Sequence, residues 1–204
     1  MKKLLIATKN QGKLKEISDF LSDLPLQTVS LSDVGIGDEF EEKGTTYKEN
    51  SQNKAIFYAK KSGLPAIGDD GGIEIDALNG APGVKSRRWL GRQASDEELI
   101  EHMIKISKNL PKNNRKAFFY TVVSLALPSG KVFSVAGEIE GIISEKPHLK
   151  LLKGYPYRSF FYLPKIHKYY HESDLSDKEQ KLYNHRYKAI QKLTPIIKKV
   201  LSIK

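Results

Sequence analysis

The chain has 204 residues, a formal net charge of +10 and no cysteine. That length supports one domain with a sizeable buried core, and the missing cysteine excludes disulfides, thiolate catalysis and zinc-thiolate sites. No apolar run approaches the roughly 20 residues that span a bilayer, so the composition points to a cytoplasmic protein with no membrane segment.

The opening MKKLLIATKN returns to polar residues after about four apolar ones, which reads as a first strand over 3–7 and not as a leader. KLKEISDFLSDL (13–24) spaces Leu14, Ile17, Phe20, Leu21 and Leu24 as a helix does. LQTVSL (26–31) suits a second strand, and TTYKENSQNKAIFYAKKSG (45–63) predicts a helix closed by Gly63. LPAIGDD (64–70) reads as a third strand, followed by GGIEIDAL (71–78) with period-two alternation. Ser95 and Glu98 have capping-box spacing at the head of a helix over 95–110. Two strand-like runs, 116–127 and 131–144, flank the turn signal PSG. The stretch 176–193 is helical in tone, with Pro195 expected to kink or restart it.

The charge is uneven. Residues 1–144 hold 20 Lys and Arg against 19 Asp and Glu, whereas 145–204 hold 14 against 5 and nine of the 19 aromatic side chains. A basic, tyrosine-rich surface suits phosphates, nucleic acid or a protein partner; the plainer alternative is a solvated helix face. The element order predicts an α/β (mixed α+β) fold: a twisted mixed central sheet with flanking helices, and two lobes sharing one core around a cleft, all within a single domain over 1–204.

Four constellations carry candidate chemistry. In ATKNQGKLKE (7–16), Thr8, Asn10, Gly12 and Lys13 sit where a strand meets a helix start, a good polyphosphate cradle. Its spacing is not that of a Walker A loop, and an ordinary strand-to-helix turn looks similar. Glu41, Glu42, Asp69 and Asp70 form an acidic set of the kind that binds Mg²⁺ together with substrate phosphates. There, one aspartate serves a metal and the next positions a water; alternatively, one caps a turn and the other is solvated. In GAPGVKSRRWLG (80–91), Arg87, Arg88 and Trp89 suit a phosphate clamp or a base stack, or else a turn anchored by a buried Trp. YNHRYKA (183–189) places His185 beside Arg186, a pair fit for a phosphate or a base carbonyl, or for plain surface.

Taken together and in this order, ATKNQGKLKEI, GTTYKENSQNKA, LPAIGDDGGIEIDALNGAPGVKSRR and, more loosely, NHRYKA resemble the inosine triphosphate pyrophosphatase family over nearly the whole chain. The resemblance implies an elongated fold with a nucleotide cleft, often dimeric, that cleaves ITP, dITP or XTP to the monophosphate and pyrophosphate with Mg²⁺. Position by position, it implies that Thr8, Asn10 and Lys13 hold the triphosphate and that Lys54 lies near the phosphates. Glu42 and Asp69 serve the metal, and Asp70 activates the attacking water. His185 and Arg186 read the six-position oxygen of the purine, and Gly71, Tyr155, Tyr157 and Arg158 complete the nucleotide site.

The departures from that pattern are concentrated. Gly71 replaces a serine, and GYPYRSFF (154–161) stands where the family has Gly-Phe-Gly-Tyr-Asp-Pro, so Arg158 replaces an aspartate. Gln180 replaces a lysine, and Asn184 a serine. Two readings follow: a working pyrophosphatase with altered base preference, or a nucleotide-binding module that has lost turnover. The second would sense dITP and regulate an effector, such as an NAD-consuming protein in anti-phage defence, through the basic tyrosine-rich C-terminal region. Neither needs nucleic acid or a membrane.

Overall fold

The computed structural model describes residues 1–152 and 154–203. They fall into two compact units, one of Met1–Asp70, Thr121–Gly137 and Arg186–Lys204, the other of Gly71–Tyr120 and Glu138–His185.

In the first unit the apolar KKLLI forms β1 (Lys2–Ile6), paired in parallel with β2 (Leu26–Val29) on one side and β3 (Ala66–Ile75) on the other. Alternate residues of β1 face opposite ways, as strand geometry requires. Leu4 and Ile6 pack with Ile17, Ile67 and the C-terminal helix residues Ile190, Leu193 and Ile197. Leu5 and Ala7 pack with Ala55, Tyr58 and Ala59. Between β1 and β2, α1 (Gln11–Phe20) starts where the Asn10 side chain accepts from the Lys13 N–H. It stops at Phe20, short of the expected residue 24, and the chain turns over 21–23 before Pro25. Leu21 and Leu24 are buried all the same.

The second helix, α2 (Tyr47–Ser62), opens with a capping box between Thr46 and Glu49 and closes on Gly63 at φ 69°. It lies directly on β3. A Cβ at Gly68 would come 2.4 Å from the Ser51 carbonyl oxygen and 2.8 Å from the Ala55 nitrogen, so only glycine permits the approach. The Ser51 hydroxyl, in turn, donates to the Gly68 carbonyl at 3.0 Å.

The second unit holds α3 (Asp96–Asn109), with the expected Ser95–Glu98 capping box, and a core of Ile73, Leu99, Met103, Phe119, Ile143, Phe160 and Phe161. The expected hairpin strands are β4 (Lys116–Ala126) and β5 (Val132–Ile143), which, like β3, contribute residues to both units. Two short strands follow, β6 (Phe161–Leu163) and β7 (Lys168–Tyr169); both pairings, β5–β6 and β6–β7, are antiparallel. The sheet is therefore mixed, as expected, with seven strands in the order β2-β1-β3-β4-β5-β6-β7.

Two further local expectations differ from the structure. The runs 64–70 and 71–78 contribute to one continuous strand, β3, so the aspartate pair lies within a strand and not at its end. The C-terminal helical stretch breaks at Tyr183–Asn184, between α4 (Asp177–Leu182) and α5 (His185–Leu201), and Pro195 lies inside α5 without ending it. Proline costs the helix one hydrogen bond, and Pro195 sits on the exposed face, where water can meet the freed carbonyl.

Candidate active site

Consecutive strand residues point to opposite faces, and β3 uses this to separate Asp69 from Asp70. On one face, Asp69 is saturated with donors. Arg186 donates from Nε to Oδ1 at 2.8 Å and from Nη2 to Oδ2 at 3.2 Å. Lys13 Nζ lies 2.7 Å from Oδ2, and the Thr121 hydroxyl donates to Oδ1 at 2.8 Å. Burial alone would raise this carboxyl, but Arg186 and Lys13 outweigh it and hold Asp69 well below the usual carboxylate range.

On the other face Asp70 meets α2. Asn50 Nδ2 donates to Asp70 Oδ2 at 2.9 Å. Burial and the nearby Glu42 carboxylate push Asp70 up to about 6, against the opposing pull of Lys13, Lys54 and Asn50. Glu42 is ion-paired with Lys54, whose Nζ also donates to the Asp69 carbonyl at 3.1 Å. Burial would lower the Lys54 ammonium, yet Glu42, Asp70 and Asp69 raise it, so it stays charged. The result is a compact set of Lys13, Glu42, Lys54, Asp69 and Asp70, all in the first unit. Glu42 and Asp70 repel one another across it.

The residues singled out from the sequence take different places here. Thr8 and Asn10 lie in the β1–α1 turn as placed, with the Asn10 N–H donating to Thr8 Oγ1 at 3.2 Å. Thr8 also lines a cavity of about 400 Å³ with Lys9, Gln11, Ser30 and Ser32. Asp69, expected to serve a metal, has its oxygens engaged by Arg186, Lys13 and Thr121. Arg186, expected to read a base, is engaged in turn: besides Asp69 it donates to Glu16 Oε2 at 2.6 Å. Its place in α5, packed against α1 and β3, makes it a counter-ion for two carboxylates. Asn50 and Thr121 escaped the sequence reading. Asn50 stands four residues before Lys54, hence on one helical face with it, and that spacing was the available signal. Thr121 lies in the apolar run of β4 and gave none.

The remaining predicted residues belong to the second unit. Gly71 continues β3 directly after Asp70. The guanidinium of Arg158 lies 3.7 Å from the centre of the Tyr155 ring and 4.4 Å from that of Tyr170. The Tyr157 hydroxyl donates to the Ser86 carbonyl, and burial raises it above its ordinary range. His185 stacks on Phe119 with ring centres 5.2 Å apart, and its Nδ1 lies 3.3 Å from the Tyr170 hydroxyl. Of the 80–91 loop, Arg87 pairs with Asp96 and Trp89 packs edge-on to His102, so both anchor the loop to α3.

The Ham1 family model matches residues 4–196. The chain belongs to the Ham1 family. A dITP/XTP pyrophosphatase of Desulforamulus reducens is 34% identical over 198 residues, covering 97% of this chain and 96% of that one. One from Exiguobacterium is 39% identical over 191 residues, 94% of each chain. Among solved structures, a HAM1 protein from Coxiella burnetii superposes with a TM-score of 0.82 at 32% identity, covering 98% of this chain and 100% of that one. The Desulforamulus and Exiguobacterium relatives are dITP/XTP pyrophosphatases by name, so the resemblance read from the sequence and the mixed α/β fold agree with the family. No helix among the described residues is long and apolar enough to cross a membrane.

Proposed function

We propose that this Ham1 protein hydrolyses ITP, dITP and XTP with Mg²⁺, in the cytoplasm and as one domain, to the nucleoside monophosphate and pyrophosphate. The observation that carries this reading is the Glu42–Asp70 pair. Two mutually repelling, mostly buried carboxylates flanked by Lys13 and Lys54 suit a hard divalent cation together with an anionic substrate. Glu42 and Asp70 would hold the ion; Asp69, already neutralised, would instead hold Lys13 and Arg186 in place. When bound, Mg²⁺ neutralises phosphate charge and orients the water. Thr8, Asn10, Lys13 and Lys54 face the phosphates. Asp70 accepts the proton of the water that attacks the α-phosphorus, and the bond to the bridging oxygen breaks with pyrophosphate leaving.

Pyrophosphate release from a panel of triphosphates in Mg²⁺ tests this. Release from dITP, ITP and XTP should exceed that from ATP and GTP and vanish with EDTA. Asp70→Asn should lose about 10²–10⁴-fold in turnover with nucleotide binding retained. Equal hydrolysis of ATP, or full turnover in Asp70→Asn, would sink it.

A second reading has one observation in its favour. Arg158 lies over the ring of Tyr155, the residue that the family resemblance gives to the nucleotide site, which suits a nucleotide sensor with weak turnover. Tight dITP binding without pyrophosphate release, with retained binding to a partner protein, would support it.

A further inference from the structure

Asn50 is only 1% exposed, and a polar side chain so buried must have its hydrogen bonds met. Both ends of its amide are engaged. The Gly44 N–H donates to Oδ1 at 2.8 Å, and Nδ2 donates to Asp70 Oδ2 at 2.9 Å. A backbone N–H can only donate, so the atom facing Gly44 must be the oxygen. The amide orientation is therefore dictated by the main chain, and the NH₂ group must face Asp70. The fit on the Gly44 side is close: a Cβ there would stand 2.6 Å from Asn50 Oδ1 and 2.9 Å from Glu49 Cβ. Gly44 lies two residues after Glu42, while Asp70 lies on β3. One side chain on α2 thus ties the strand that carries one carboxylate to the segment that carries the other.

We propose that Asn50 is a positioning residue for the hydrolytic site: it fixes the rotation of the Asp70 carboxylate and its separation from the Glu42 segment. The inference rests on the reading above, in which Asp70 and Glu42 act on the cation and the water. Asn50 itself touches neither substrate nor ion. Its removal takes one hydrogen bond from the Asp70 carboxylate and one from the Gly44 N–H, and leaves the Glu42–Lys54 ion pair as the tie between α2 and the 42–44 segment. A misplacement of Asp70 lowers the rate of the chemical step far more than substrate binding, which depends on Lys13, Lys54 and the β1–α1 turn.

Steady-state kinetics on dITP with Asn50→Ala and Gly44→Ala test the proposal. Each is paired with a melting curve, with nucleotide affinity measured without metal, and with Mn²⁺ binding followed by electron paramagnetic resonance. Asn50→Ala should lower kcat about 100-fold, leave KM and metal-free nucleotide affinity within about threefold, and weaken Mn²⁺ binding about tenfold. Gly44→Ala keeps Asn50 but presses on its oxygen, and should show the same pattern more weakly. That variant decides the matter if Asn50→Ala does not fold. Folded variants with kcat within about threefold of the parent, or a KM rise with kcat intact, would overturn the positioning role while leaving the proposed hydrolysis standing. A parent protein that releases no pyrophosphate would overturn both.

Discussion

At the residue scale, the two neighbouring aspartates are opposite in character because a strand turns them to opposite faces. Asp69 is matched by Arg186 and Lys13. Asp70 is buried beside Glu42 and pushed from 3.8 to about 6. A carboxyl raised on folding holds its proton more tightly in the native state than in the unfolded chain. Its contribution to stability is therefore intact below about pH 4 and is lost as pH rises through about 6. At neutral pH, metal-free protein carries Asp70 as a net cost. Asp70→Asn should accordingly melt higher than the parent at pH 7 in EDTA, by a margin on the order of 1–3 kcal/mol, and show no such gain at pH 4. Mg²⁺ should raise the parent's melting temperature and close the gap while moving the variant little. Thermal melts across that pH range, with and without Mg²⁺, are the check; a parent as stable as the variant in EDTA at pH 7 would mean that the carboxylate is not strained there.

At the element scale, the site depends on how close α2 lies to β3. Gly68 makes that distance possible, since its missing side chain is where the Ser51 carbonyl and Ala55 nitrogen sit. Gly68→Ala should push the first turns of α2 outward. The expected loss is about 1–3 kcal/mol, typical of overpacking in a tight contact, with a fall in kcat because Asn50 and Lys54 move away from Asp70. Chemical denaturation and dITP turnover would show both; unchanged values would mean that α2 rides freely on the sheet. The helices and strands themselves were legible in the sequence wherever a local rule acts alone: the capping box at Ser95, Gly63 as the end of α2, the hairpin glycine. Where packing overrides the local rule, the sequence misled. Pro195 reads as a kink or a restart, but α5 runs on through it, burying Leu193 and Ile197 on one face and leaving the proline on the other. Asn50 looked like one polar residue among many on a charged helix, because its partners stand 6 and 20 residues away in sequence.

At the scale of the whole molecule, the residues proposed to face the phosphates and the acidic residues Glu42, Asp69 and Asp70 are in the first unit, and Tyr155, Tyr157, Arg158 and His185 are in the second. The motif order exposed the family but not this division, since the adjacent His185 and Arg186 fall on either side of it. Net charge is the remaining global property. The chain carries +10, with Lys188, Lys192 and Lys199 exposed on α5. Exposed charges are screened over about 8–10 Å at physiological salt, whereas buried pairs such as Lys13–Asp69 are screened much less. A triphosphate is a polyanion, so its approach should respond to salt and its chemistry should not. Raising ionic strength from about 0.05 to 0.5 M should lower kcat/KM for dITP several-fold, by roughly 3–10-fold, with kcat nearly constant. Replacing Lys188, Lys192 and Lys199 together by Gln should flatten that dependence without changing kcat. A KM indifferent to salt in the parent would mean that the basic face of α5 does no steering of substrate. Its charge would then belong to a solvated face or to a second macromolecule, and strong, salt-sensitive binding to duplex DNA would decide for nucleic acid.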